Sequence, residues 1–412
     1  MSEDIGLPES AYLDQGPDAE AARYSAVRRL LEAPEPHALA RALDLAQNAI
    51  EVYRAAPVEL APQLGALLDH PGTAIRRRAA ELLAVSEDGA RASTMQLSLL
   101  LNDHDTVLAD TAARGLALVG DERILPRVIS ALDDPAGPPT WIGDALNALP
   151  QHADLLLPKI SVAIYRHAAA CVSGQCNART FRAMLRGIAD WGASGRMLIE
   201  EASANVPAEC GISNLANEML LRSEPEPAHL ATVFDCVAGR YYRNRMRLLL
   251  RQARGERGIT AIEAHVDHIL ATEPGTVMRR RSLVIDLAVI AAGGAMRPEH
   301  EALLERFLNG RVFAQHAAYA LWLLHGTRAA ERACATLSAS VAEPYYGPTS
   351  LGYLTEMGPD AVEALDTIDA LLARRRRLTV NDPDWRYELR SDESLCAAAR
   401  CARRRILSSG SH

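Results

Sequence analysis

The property that most constrains this chain is that it repeats itself. Pro71-Gly72-Thr73-Ala74-Ile75-Arg76-Arg77-Arg78 returns as Pro274-Gly275-Thr276-Val277-Met278-Arg279-Arg280-Arg281, altered only from Ala to Val and from Ile to Met, 203 residues later. A shorter period of 33 residues lies inside the first half. Leu67-Leu68-Asp69, Thr73-Ala74-Ile75, Ala79-Ala80 and Leu83 align with Leu100-Leu101-Asn102, Thr106-Val107-Leu108, Ala112-Ala113 and Leu116. Ala317-Ala318-Tyr319-Ala320-Leu321-Trp322-Leu323-Leu324 is a further copy of the second half of the unit. A period of this length corresponds to one helical hairpin, and hairpins that cannot bury an apolar stripe alone must stack on their neighbours.

One unit reads as a first helix ending in Leu-Leu-Asp or similar, a short polar turn, and a second helix. Thr73 and Thr106 are the expected caps of the second helices. The small pair Ala79-Ala80 lets a neighbouring backbone approach, while Leu82 and Leu83 supply the apolar stripe. With 49% hydrophobic but only 5% aromatic residues, the interior has to come from Ala, Leu, Val and Ile. No segment shows the alternating Val, Ile, Thr and aromatic pattern of strands. The expected fold is all-α, an α-α superhelix in which helical hairpins stack as a solenoid.

The repeated residues resemble HEAT repeats, in particular the HEAT-like repeats of bacterial proteins related to phycobilisome lyase subunits. The resemblance covers residues 57–150 and 259–407, including a last unit at Tyr353-Leu354-Thr355-Glu356-Met357-Gly358-Pro359-Asp360 followed by 361–372. It implies a curved, armadillo-like superhelix that binds other macromolecules, with second helices lining a concave face, and it carries over no catalytic residue. The expected organisation is a flexible tail over 1–16, a helical cap over 17–56 (helices 17–33 and 36–56), and HEAT-like repeats over 57–150. An irregular helical middle over 151–258 is the candidate ligand region. Repeats and a C-terminal cap follow over 259–407, with a final helix from Glu393 to Leu407 after the Pro383 loop and a tag remnant at 408–412.

Charge and cysteine usage remove several classes. With 44 Lys+Arg against 52 Asp+Glu, the net charge of −8 argues against duplex nucleic acid as a partner. Residues 1–60 hold five arginines against eleven acids, so this part is acidic. Met1-Ser2-Glu3-Asp4 lacks the basic and apolar segments of a secretory leader. The apolar run Leu283 to Met296 is interrupted by Asp286 and is shorter than the roughly 20 residues of a membrane span. Seven scattered cysteines suit a reducing compartment, and Lys159 as the only lysine among many arginines and alanines suits a high-GC bacterial genome, so the expectation is a bacterial cytoplasmic protein with no membrane association. No cofactor fingerprint, phosphate-binding loop or nucleophile elbow is present, and no cofactor is expected.

Four groups of residues are candidates for chemistry. Arg240, Arg243, Arg247, Arg251 and Arg254 recur every three or four residues beside Tyr241, a basic helical stripe able to hold phosphates or an acidic peptide, or else a solvated outer face. His167, Cys171, Cys176 and Cys210 have zinc-compatible ligand types but match no known zinc spacing, so no metal is expected. His265 and His268 with Glu263 and Asp267 are placed for one helix face and read as polar groups open to solvent. Trp191 with Asp190 offers an aromatic and an acid for a pocket, whereas Trp141 and Trp322 read as core residues inside second helices. The preferred function is a binding scaffold that captures a protein or peptide, acidic in character, in a concave groove. The alternative is a lyase- or cyclase-type enzyme acting on a small molecule or modified peptide near Asp190, Trp191, Tyr241 and Tyr242.

Overall fold

The computed structural model describes residues 17–172, 178–189, 191–205, 263, 266–268, 270–272, 281–292, 296–310, 313–343, 345–378 and 382–408. They are all-α, a succession of helices joined by short turns. The β contact among them is a single antiparallel bridge between Tyr53 and Arg376. None of their helices is long and apolar enough to cross a membrane. The chain divides into two units, Met1–Val128 with Arg375–Arg390, and Ile129–Arg374 with Ser391–His412.

In the first unit, α1 (Pro17–Leu31), α2 (Pro36–Val52) and α3 (Ala56–Ala66) precede α4 (Thr73–Ala84). Short α5 (Glu87–Ala92) and α6 (Thr94–Leu99) then lead to α7 (Thr106–Val119). The 33-residue repeat is the pair of hairpins that ends in α4 and α7. Leu67–Asp69 and Leu100–Asn102 each form a 3-10 turn closing the first helix of its hairpin. Ala79, Ala80, Leu82, Leu83, Ala112, Ala113 and Leu116 are all fully buried, so the small pairs sit where α4 and α7 meet. Gly115 is part of the same contact: a Cβ there would lie 2.9 Å from the Ala84 Cβ.

The caps differ from expectation. Thr73 and Thr106 are the first helical residues, and the N-caps are Gly72 and Asp105. The Asp105 carboxylate accepts from the backbone N–H of Val107 at 3.1 Å and of Leu108 at 3.4 Å. It also receives Nε and Nη2 of Arg77 at 2.7 and 2.9 Å. The Arg77 guanidinium, helped by the two backbone N–H groups, holds this carboxyl below the usual carboxylate range. One acid thus caps α7 and ties it to α4 of the preceding hairpin.

The segment 375–390 completes the first unit. Arg377 donates from its backbone N to the Val52 carbonyl and from Nε to the Ile50 carbonyl, both at 2.9 Å. Arg375 pairs with the buried Glu20 at 2.6 Å, and the guanidinium carbons of Arg23 and Arg376 lie 5.3 and 5.9 Å from the Tyr53 ring centroid.

In the second unit, α8 (Leu125–Asp133) is followed by α9 (Ile142–Ala148), α10 (Ala153–Val172), α11 (Ala178–Gly187) and α12 (Gly192–Asn205). The described residues of the segment read as an irregular helical middle include α10, α11 and α12. Helices α9 and α11 cross with backbones in contact. A Cβ on Gly143 would sit 2.5 Å from the Ala183 oxygen, and one on Gly187 would sit 2.5 Å from the Gly143 oxygen. Further on come α13 (Arg281–Ala292), α14 (Pro298–Leu308), α15 (Ala314–His325), α16 (Ala330–Ser338), α17 (Gly347–Met357) and α18 (Leu365–Leu372). The last helix, α19 (Trp385–Leu407), begins well before the expected Glu393. Pro383 stands outside it, and Asp384 Oδ1 accepts the Arg386 N–H at 3.0 Å, as a cap does.

Candidate functional site

Helix α10 is apolar on two sides. Leu156, Ile160, Ala163 and Ile164 are buried, as helical spacing requires of a core face. Leu155, Pro158, Val162, Tyr165 and Ala169, spaced three and four apart, form a second apolar line, and all five are exposed. The exposure is large for such side chains: 49% for Leu155, 55% for Val162 and 47% for Tyr165.

Two cations flank this line. Lys159 Nζ donates to Asp133 Oδ2 at 2.6 Å. The half-buried Arg166 guanidinium donates to the carbonyls of Asp134 at 2.5 Å and Leu132 at 3.5 Å. A recess of about 100 Å³ opens beside it, lined among others by Pro135, Pro138, Arg166, His167, Thr180 and Met184. The His167 ring stacks on Phe181, with centroids 4.1 Å apart and planes at 6°. Burial pushes the imidazole below its ordinary value, which keeps it neutral at neutral pH.

Trp191 is buried, and its Nε1 donates to the Leu146 carbonyl at 3.0 Å. The indole is part of the packing of α9 against the segment after α11. Asp190, Arg240, Tyr241, Tyr242, Arg243, Arg247, Arg251 and Arg254 lie outside the described residues, as do Cys176, Cys210, His265 and the repeat copy at 274–280. Cys171 lies in the last turn of α10. Among the described residues no group of three His, Cys, Asp or Glu is placed to hold a metal ion. Asp267 receives Arg297, with His300 Nε2 at 3.5 Å. Trp141 is buried as expected but precedes α9 and is its N-cap residue; Trp322 is only half-buried and donates to Asp360 Oδ2 at 2.9 Å.

Residues not singled out in the sequence make a polar aromatic ladder between α15 and α17. His316 Nδ1 lies 2.7 Å from Tyr353 Oη, and Tyr319 donates to Glu356 Oε2 at 2.7 Å. The rings of Tyr319 and Tyr353 stack at 4.1 Å. The partners are 37 residues apart in both pairs. A second recess, of about 240 Å³, lies over Ala318 and Leu321. At its rim, Arg332 grips both oxygens of Glu305 at 2.9 Å and His325 meets Glu301 at 2.9 Å.

These elements define an all-helical repeat protein whose distinctive surface is a helix with a spare apolar side. No protein-family model matches the chain, and no curated protein does. Among solved structures it is similar to one described as a homology model of the full-length AP-3 complex in an intermediate open conformation. That match has 10% identity and a TM-score of 0.28, covering 93% of this chain and 85% of the other.

Proposed function

We propose that this chain is a protein-binding scaffold whose second unit captures a partner on the exposed side of α10. The observation that carries this reading is the line Leu155, Pro158, Val162, Tyr165 and Ala169, apolar and open to water beside a separate, fully buried core face. Single exposed apolar residues are ordinary, but a contiguous line along several helical turns is a feature of interaction sites. This exposed apolar line is what favours the scaffold reading over the lyase or cyclase reading.

A photo-crosslinking amino acid placed at Val162 and, as a control, at exposed Glu200 tests the proposal in cells producing the full chain. A discrete protein adduct from position 162, absent from position 200 and lost with Tyr165→Asp, is the expected result. Equal, diffuse labelling from both positions overturns it.

A further inference from the structure

The chemistry of the partner can be read from what surrounds the exposed line, an inference that rests on the protein-binding reading above. The five residues run from position 155 to 169, about 21 Å of helix at a rise of about 1.5 Å per residue. Their three-four spacing is that of a seam between two helices, and an extended strand with its two-residue period does not follow it. A helix laid along α10 therefore matches every position of the line.

The flanks decide the sign of the partner's charge. Lys159 is neutralised by Asp133. Arg166, next to Tyr165 and one step around the helix from the line, is held only by two main-chain carbonyls and has no carboxylate partner among the described residues. Carbonyl bonds fix the guanidinium in place without cancelling its charge, and a half-buried, positioned cation attracts a carboxylate more strongly than a mobile, solvated one. Antiparallel pairing with α10 of a second copy would set the flank that carries Arg166 against the same flank of its twin, a like-charge pairing that disfavours self-association there. Beside Arg166, the recess of about 100 Å³ is roughly three waters' share of liquid volume, room for one aliphatic side chain.

The geometry points to α10 as the docking face for an amphipathic helix of another protein, apolar at heptad spacing and bearing Glu or Asp on the flank that meets Arg166. One apolar side chain of that helix enters the recess beside His167.

Stapled, fluorescent helical peptides of about 20 residues test this against the full chain by anisotropy. They share the apolar heptad positions and differ only in carrying Glu or Lys on the flanks. The Glu-flanked peptide is expected to bind about ten-fold more tightly, a gap that narrows at high salt. Arg166→Met should make the two peptides equal and Arg166→Glu should reverse their order, with unchanged helical circular dichroism confirming the fold of each variant. Equal binding of the two peptides to the unmodified chain, or no binding of either, overturns the acidic-helix inference while leaving the crosslinking result at Val162 to judge the scaffold reading. Binding that survives Val162→Asp overturns the placement on α10. Concentration-dependent dimers lost on Val162→Asp would replace the acidic helix with a second copy as the occupant.

Discussion

His316 Nδ1 and Tyr353 Oη lie 2.7 Å apart in the buried interior between two helices whose sequences are one repeat out of step. Both residues are buried, and the Tyr353 ring also stacks on Tyr319. Tyr353→Phe keeps the stack and takes the hydroxyl from a buried imidazole nitrogen. Losing one partner of a buried hydrogen bond costs about 1–3 kcal/mol. Denaturant unfolding should show a loss of that size; an unchanged midpoint would mean that the pair contributes nothing.

Backbone contact between α9 and α11 leaves no room for a methyl group. Gly187→Ala places a Cβ against the Gly143 carbonyl and the Leu146 side chain. The helices must separate, with an overpacking cost of about 1–3 kcal/mol, although alanine is intrinsically the better helix former. A lowered thermal midpoint is expected; a raised one would show that helix propensity wins.

His167 gives the second unit a dependence on pH. Its folded value is depressed by burial, so the unfolded chain binds the proton more readily in the window between that value and the ordinary imidazole range. The contribution to stability is fully present above the ordinary value and is lost as pH falls through the window. His167→Phe should flatten the fall in thermal midpoint between about pH 7 and 5. An identical slope in both proteins would assign the dependence to other groups.

Arg377 holds the end of α2 through a buried bond to the Ile50 carbonyl. Arg377→Met keeps much of the aliphatic stem and loses that bond, so the first unit should weaken by about 2 kcal/mol. Hydrogen exchange at α1 and α2 reports it directly. Faster exchange confined to α10–α12 would contradict the assignment.

Much of the architecture was legible because small residues at helical spacing have few places to go. Ala79, Ala80, Ala112 and Ala113 are fully buried where two helices meet. The caps were misplaced by one residue because threonine and aspartate are both good capping residues and stand side by side at 105 and 106. The backbone N–H groups of Val107 and Leu108, which donate to Asp105 Oδ1, show which one does it. The helix from Trp385 starts directly after the 382–384 turn, where Asp384 caps it, and the charge-rich residues 386–394 do not mark its first two turns as helical. Helix α10 is apolar on two sides, and periodicity alone does not say which of them is buried. Trp191 looked like a pocket wall because its sequence neighbours are polar, yet its nitrogen is satisfied by a carbonyl 45 residues earlier.

The bond between Arg377 and Ile50 joins residues 327 positions apart. A ribosome adding about 5–20 residues per second needs roughly 16–65 s to cover that stretch. For most of that interval the nascent first unit has its amino-terminal helices made, but not the segment that bonds the Ile50 and Val52 carbonyls and pairs with Glu20. Its assembly is therefore completed late, with the amino-terminal helices waiting on sequence near the other end of the message. A chaperone that shelters early, unfinished chains has a defined task here.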